Sequence, residues 1–302
     1  MDRPLVEAVN LCKYFKTPKG QLHAVEDVNF KIYEGKTLGV VGESGCGKST
    51  LGRTVLRLHQ ATSGQVLYED EDILKYSKRD MHKVQRNMQM IFQDPYSSLD
   101  PRMSIRALIS EPLEVLNKKN ELSSAQLKER VDHIMDMCGL PSHYSNLYPH
   151  ELDGGMRQRV GLARSMILDP KFIVCDEPVS ALDVSIQAQI LNLLMDLQDR
   201  HKLSYMFITH DLAVVKHISD DIMVMYMGQV VEYTNSSELF ANPIHPYTKA
   251  LLNSIPTIDL SRRNRERVTI SGEVSSPINP APGCRFAPRC PYASEKCKEG
   301  HC

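Results

Sequence analysis

The sequence predicts an α/β fold with a parallel core, an antiparallel β subdomain ahead of it, a helical insertion within it and a cysteine-containing C-terminal tail. Three observations carry that prediction. Residues 42–50, Gly-Glu-Ser-Gly-Cys-Gly-Lys-Ser-Thr, form a complete G-x-x-x-x-G-K-S phosphate-binding loop flanked by strand and helix signals. Beyond about residue 170, short apolar runs alternate with segments of helical spacing, the pattern of a parallel sheet covered by helices. From Ser104 to about Arg164 the apolar residues recur only at three-to-four spacing, which marks helices alone.

The elements follow in order. Leu5–Asn10 and Val25–Tyr33 alternate in polarity around a Pro18-Lys-Gly20 turn, so residues 4–35 are expected as antiparallel strands. Lys36–Val41 is a short β-branched run suited to a buried parallel strand, and Leu51–Leu58 has helical spacing. Strand, glycine loop and helix are the context the loop needs, because backbone N–H groups and a helix N-terminus must face the phosphates. A polar stretch then leads to a strand candidate at Met88–Phe92. The insertion should hold helices at Ala107–Leu116, Ser124–Cys138 and Gly155–Ile167, with Pro141 and Pro149 as breaks. Strands at Phe172–Cys175, Tyr205–Thr209 and Asp221–Tyr226 alternate with helices at Ile186–Asp199 and near Leu212–Ile218. After residue 255 the chain turns Pro-, Ser- and Arg-rich and is expected to be an extended tail. The expected organisation is a nucleotide-binding domain over 1–255, with its helical insertion at about 100–165, and a tail over 256–302.

Composition narrows the function. The 302 residues carry a formal charge of −1, which leaves no electrostatic footprint for nucleic acid. No apolar run approaches the roughly 18 residues needed to span a bilayer, and the N-terminus lacks a signal-peptide pattern. A soluble, cytosolic protein with reduced thiols is expected. Of eight cysteines, Cys12, Cys46, Cys138 and Cys175 lie in apolar segments and read as small core residues, whereas Cys284, Cys290, Cys297 and Cys302 cluster at the C-terminus.

The candidate chemistry starts at the loop. Gly42, Gly45 and Gly47 let the backbone curl around a nucleoside triphosphate, and Ser44, Cys46 and Thr50 complete the cradle. Lys48 would reach the β- and γ-phosphates, and Ser49 would ligate Mg²⁺. About 130 residues later an apolar strand ends in Asp176-Glu177. Asp176 would hold Mg²⁺ through water, and Glu177 would orient or deprotonate an attacking water. The plainer alternative is an acidic strand end. Gln93, at the end of a strand, could sense the γ-phosphate, Mg²⁺ or water. His210, ending the Phe207-Ile-Thr strand, suits a γ-phosphate contact, though a lone histidine there is often structural.

With these residues in that order, and with Leu152-Asp-Gly-Gly-Met156 and Ser180-Ala-Leu-Asp183, the chain resembles the ATP-binding subunits of ABC transporters. The resemblance spans residues 10 to 230 and implies a P-loop NTPase core of ABC type. It further implies a head-to-tail dimer with ATP held between one subunit's phosphate loop and the other's signature helix, which adds Asp153, Gly154 and Gly155 to the site. It also implies an aromatic stacked on adenine: Phe15, with Tyr14 as rival and a core role open for either ring. Gln93-Asp-Pro-Tyr-Ser-Ser-Leu-Asp-Pro101, Asn242-Pro-Ile-His-Pro-Tyr-Thr248 and the cysteine tail resemble the dipeptide/oligopeptide importer branch. That branch implies a second related ATP-binding subunit, two transmembrane permease subunits, an extracellular or periplasmic binding protein and a place at the cytoplasmic face of the membrane. It implies no nucleic acid, and motion would pass to the permeases near Gln93 and Asp94–Met103. Importers of oligosaccharide or nickel, a soluble ABC-type ATPase of DNA repair and an ATP-binding module without turnover are the alternatives.

Two features depart from that pattern. The family signature has serine where this chain has Asp153, whose ionised carboxylate cannot donate to a γ-phosphate and repels it. A weakened signature, and hence a heterodimer, is the expectation, unless Asp153 turns away or is protonated. The tail cysteines are separated by five, six and four residues, unlike the paired spacing of a zinc ribbon. Four thiolates suit a [4Fe-4S] cluster or zinc. The branch favours the cluster in a structural role; Cys302 is its least secure ligand.

Overall fold

A computed structural model of the chain describes residues 3–116, 122–254 and 276–299. The chain divides into two compact units: Met1–Tyr76 with Met206–Cys302, and Ser77–Tyr205.

The first unit opens with β1 (Pro4–Thr17) and β2 (Gly20–Tyr33), paired antiparallel across the expected turn. Both strands run longer than the sequence pattern suggested, because bulges between Ala8 and Leu11 and between Lys13 and Tyr14 reset the alternation midway. β3 (Thr37–Val41) is buried at every residue, as expected for a central parallel strand. The phosphate loop leads from it into α1 (Lys48–Val55). β4 (Ser63–Tyr68) and β5 (Glu71–Asp72) then complete a four-stranded sheet in the order β2-β1-β4-β5. The sequence reading passed over β4. Only Val66 and Tyr68 of that strand are buried, so it carries too few apolar positions to show a period.

The second unit starts at α2 (Lys78–Asn87), also unforeseen, which buries just Met81 and Val84. β6 (Met88–Ile91) follows, then the short α3 (Pro95–Ser98). Next come the three expected helices, α4 (Ile105–Leu116), α5 (Ser124–Met137) and α6 (Gly154–Met166). Ser123 and Gln126 form a capping box that starts α5. Ile105, Leu108, Ile109, Val131, Met135, Val160 and Ala163 are nearly or wholly buried, giving the helices a shared core. Arg164 ties α6 to Glu111 (2.7 Å) and to the carbonyl of Ser98 (3.1 Å), so the segment after Gln93 is fastened to this helix. β7 (Phe172–Asp176) pairs with β6 in parallel, Met88 opposite Phe172 and Ile91 opposite Cys175, and α7 (Val184–His201) follows.

β8 (Ser204–Ile208) returns the chain to the first unit, followed by α8 (Leu212–Ile218), β9 (Asp221–Tyr226), β10 (Gln229–Asn235), α9 (Ser236–Ala241) and α10 (Pro246–Asn253). Here the strand order is β10-β9-β3-β8, with β3 parallel to β9. β10 turns back antiparallel through Met227 and Gly228, both at positive φ (46° and 85°), a two-residue hairpin of the kind that matches strand twist.

The tail departs from the extended segment expected. Leu22 bridges Ile278, and the Asn279 side chain accepts from the Gln21 amide at 2.8 Å. Phe286 is 1% exposed, packed among Tyr226, His245 and Tyr247. One aromatic ring in a Pro- and Arg-rich stretch gives no periodic signal, yet it anchors the segment before α11 (Lys296–Glu299).

Candidate functional site

In the first unit, β3 drives the chain straight into the phosphate loop. A Cβ on Gly42 would stand 2.2 Å from the Met225 carbonyl oxygen, and one on Gly47 2.0 Å from that of Ala24. Both positions also lie at positive φ, so neither space nor backbone admits a side chain. Gly47 is the N-cap of α1 and offers no side-chain cap; a helix N-terminus of this kind suits an anion. Lys48 is 4% exposed, and its Nζ donates to the carbonyls of Gly42 (2.8 Å) and Glu43 (2.9 Å), which holds the cation inside the loop. Cys46 is buried beside it, and burial pushes its thiol pKa up, so the thiol stays neutral. Cys12, Cys138 and Cys175 are buried too, as expected of core residues, with the Cys138 thiol pushed up to about 12.

Tyr14 and Phe15 face opposite sides of β1. Tyr14 stacks on His23 (ring centroids 4.0 Å apart) and donates its hydroxyl to Glu26 at 2.5 Å, inside a polar cluster that Arg285 completes with a 2.6 Å bond to Glu26. Burial first, then the Glu26 bond, raises the Tyr14 pKa, so it stays protonated and keeps donating. Phe15 is partly exposed, with the Lys13 ammonium 4.6 Å from its centroid and His59 edge-on at 5.5 Å. Both rings are partly exposed; Tyr14 is the one engaged in the His23–Glu26–Arg285 cluster. His210 is exposed just beyond β8. Its position is set by Thr209, whose amide bonds the Val40 carbonyl in the strand that launches the loop (3.1 Å), and by Asp211, which caps α8.

In the second unit β7 ends in Asp176, which is fully buried. Glu177 follows in the left-handed region (φ 46°), a conformation a non-glycine residue adopts only when its surroundings enforce it. Its carbonyl accepts from the Ser180 amide (3.3 Å) and hydroxyl (3.1 Å), which fixes that bend. The bend brings the Glu177 carboxylate to Gln93, whose Nε2 donates at 3.0 Å. Two residues 84 apart in sequence are thereby joined at the end of the β6–β7 pair.

Asp153 is the N-cap of α6, with its Oδ1 accepting from the Met156 amide at 2.8 Å. Gly154 and Gly155 make room chiefly for this chain's own side chains: a Cβ on Gly155 would meet Ile186 Cγ2 at 2.7 Å, and one on Gly154 would meet Leu182 Cδ2 at 3.2 Å. In the tail, Cys284, Cys290 and Cys297 are partly exposed, and the Cys284 amide bonds the Cys297 carbonyl at 2.8 Å. Among the described residues no three or more His, Cys, Asp or Glu side chains are gathered as a metal site, and Cys302 lies outside those residues. The residues missed from sequence are Tyr247, Arg285 and Arg289. None of the three carries a catalytic signature of its own.

Residues 25–180 match the family model described as ABC transporter, and the chain belongs to that family; its members' ATP-binding subunits are ATPases coupled to transport. Residues 231–297 match a second model, the oligopeptide/dipeptide transporter C-terminal region. Among curated proteins the chain is 49% identical to the oligopeptide transport ATP-binding protein AppF of Bacillus subtilis, over 94% of this chain and 86% of that one. It is 47% identical to the dipeptide transport ATP-binding protein DppF of Haemophilus influenzae, over 99% of this chain and 92% of that one. Among solved structures it resembles the ATP-binding cassette MJ0796, a dimer in a post-hydrolysis state bound to ADP and Pi, with TM-score 0.70 and 26% identity over 76% of this chain and 98% of that one. No helix among the described residues is long and apolar enough to cross a membrane.

Proposed function

We propose that this chain is the ATP-hydrolysing subunit of a membrane importer for dipeptides or oligopeptides, working at the cytoplasmic face in a head-to-tail dimer with a second ATP-binding subunit. Two transmembrane permeases would transmit its motion, fed by a binding protein on the far side of the membrane. Cargo is assigned from the C-terminal region and the named relatives; oligosaccharide or nickel would use the same machine.

The Gln93–Glu177 contact carries the hydrolytic part. The α1 amides and Lys48 bind the phosphates. Ser49 and Asp176 each carry an oxygen donor of the type Mg²⁺ takes, and such an ion would neutralise phosphate charge. Glu177 accepts a proton from water as the water oxygen bonds to the γ-phosphorus. The bond from that phosphorus to the β–γ bridging oxygen breaks, and ADP leaves with the electron pair. Gln93 orients the Glu177 carboxylate, and His210 donates to the γ-phosphate. Phe15 supports the adenine. Glu177→Gln should keep MgATP binding and lower hydrolysis in the assembled transporter by about 10²- to 10⁴-fold. Undiminished hydrolysis would sink the assignment.

For the tail we propose a [4Fe-4S] cluster on Cys284, Cys290, Cys297 and Cys302, with zinc as the alternative. Cysteine thiolates suit both, although Cys284, Cys290 and Cys297 are not gathered as a metal site among the described residues. Anaerobic analysis for iron, sulfide and zinc decides between them, and a metal-free chain rejects both.

A further inference from the structure

Glu43 is the first residue of the phosphate loop after Gly42, and the two peptide groups that flank its Cα are each held. Its carbonyl accepts from Lys48, while its amide donates to the Tyr247 hydroxyl at 2.9 Å. Tyr247 is fully buried in the first turn of α10. That turn is itself organised: His245 Nδ1 accepts from the Tyr247 amide (3.2 Å), and the Glu232 carboxylate accepts from the amides of Ile244 (2.8 Å) and His245 (2.9 Å).

The C-terminal segment closes over this arrangement. Phe286 packs on Tyr247 and His245 with ring centroids 5.6 and 5.2 Å away. Arg289 bonds the Tyr226 hydroxyl at 3.3 Å and lies 3.7 Å from the Glu43 carboxylate. Arg285, 8% exposed, bonds Glu26 and the carbonyls of His23 and Met227. The far end of the loop hangs on the same residues: the Gly228 amide bonds the Cys46 carbonyl, and the Glu26 amide bonds the Gly228 carbonyl, each at 2.8 Å. One segment therefore grips the supports of both ends of the loop.

We propose that α10 and the Cys284–Cys290 segment brace the phosphate loop, with the Tyr247 hydroxyl as the positioning contact on Glu43. The brace rests on the nucleotide-site reading above. A phosphate competes with the Gly42 and Glu43 carbonyls for the three donors of Lys48, whereas the Tyr247 bond holds the Gly42–Glu43 peptide by its N–H whatever Lys48 engages. A loop that does not have to be ordered at the moment of binding holds its ligand more tightly.

The test is Tyr247→Phe in the full chain, a change that removes one oxygen and leaves the packing. MgATP affinity by titration calorimetry should fall about 3- to 10-fold, the worth of one hydrogen bond. Amide exchange in the peptide carrying Glu43 should quicken. In the assembled transporter KM for ATP should rise by a similar factor while kcat at saturation stays within about twofold. Arg289→Gln should shift affinity in the same direction by a smaller factor. Unchanged affinity and exchange in Tyr247→Phe, or lowered thermal stability with affinity intact, would overturn the brace. Wild-type chain that takes up no MgATP would overturn the nucleotide-site reading beneath it.

Discussion

Two helices of this chain begin at glycine-rich turns, and they treat their first-turn amides in opposite ways. α1 starts at Gly47, which contributes no side-chain cap. α6 starts at Asp153, whose carboxylate takes the Met156 amide for itself. Both starts have the partial positive charge of a helix N-terminus. In α1 the cap residue brings no carboxylate to that charge; in α6 a fixed carboxylate already meets it. A glycine-rich helix start is thus an anion site only as far as its cap residue leaves donors over. In the dimer proposed above, a nucleotide docked against α6 would meet the Asp153 carboxylate.

The glycines break the comparison most sharply. Gly47→Ala places a Cβ 2.0 Å from a backbone carbonyl at φ +107°, where no side chain can yield, so the loop must deform. Loss of MgATP binding by at least about 100-fold is expected, since every loop amide moves with it. Gly155→Ala meets the γ-methyl of Ile186, a side-chain rather than a backbone contact, and the stiff β-branched residue must shift with its helix. Destabilisation of about 1–3 kcal/mol by urea unfolding is expected, with nucleotide binding to the phosphate loop retained. Equal loss of binding in both variants would show that the two starts do not differ in function.

How much of this was visible beforehand follows from the same physics. The β3–loop–α1 unit and helices α4, α5 and α6 were legible, because a strand buried at every position and helices with continuous apolar stripes leave periodic traces. Helix α2 and strands β4 and β10 were not: α2 and β4 bury two side chains each, and no residue of β10 is fully buried. In the site, sequence could nominate Tyr14 and Phe15 but not choose, since neighbours on a strand face opposite ways; the His23–Glu26–Arg285 cluster that claims Tyr14 draws on residues up to 262 positions apart in the chain. The Gln93–Glu177 pair was foreseen as two roles, not as a contact. Asp153 reads from sequence as a departure from the signature, although aspartate just before a helix is also a preferred N-cap.

That dual identity gives the next, smaller test. Asp153→Ala removes the cap and should destabilise the chain by about 1 kcal/mol. Asp153→Ser preserves a capping oxygen, so stability should change by under about 0.5 kcal/mol, while removing the charge raises ATPase activity of the assembled transporter. If serine leaves activity unchanged, Asp153 works as a cap alone and the expectation of a weakened composite site fails. If alanine is neutral in urea, the cap contributes nothing.

A third helix start, α10, extends the comparison to a cap that titrates. Its N-cap is His245, whose Nδ1 can accept from the Tyr247 amide only while that nitrogen carries no proton. Burial lowers the His245 pKa below its ordinary 6.5, and the facing Glu232 carboxylate opposes the shift without cancelling it. The unfolded chain therefore takes up this proton first as pH falls. Stability from the neutral cap is full above about pH 6.5 and declines as the pH drops from there toward the lower folded value. His245→Asn keeps a capping acceptor that does not titrate. Subtracting its urea-unfolding profile from that of the wild type should isolate a loss confined to the acid side of neutrality. Parallel profiles across that range would mean that the cap on the residue holding Glu43 is indifferent to protonation, and that this third helix start behaves like the fixed carboxylate of α6.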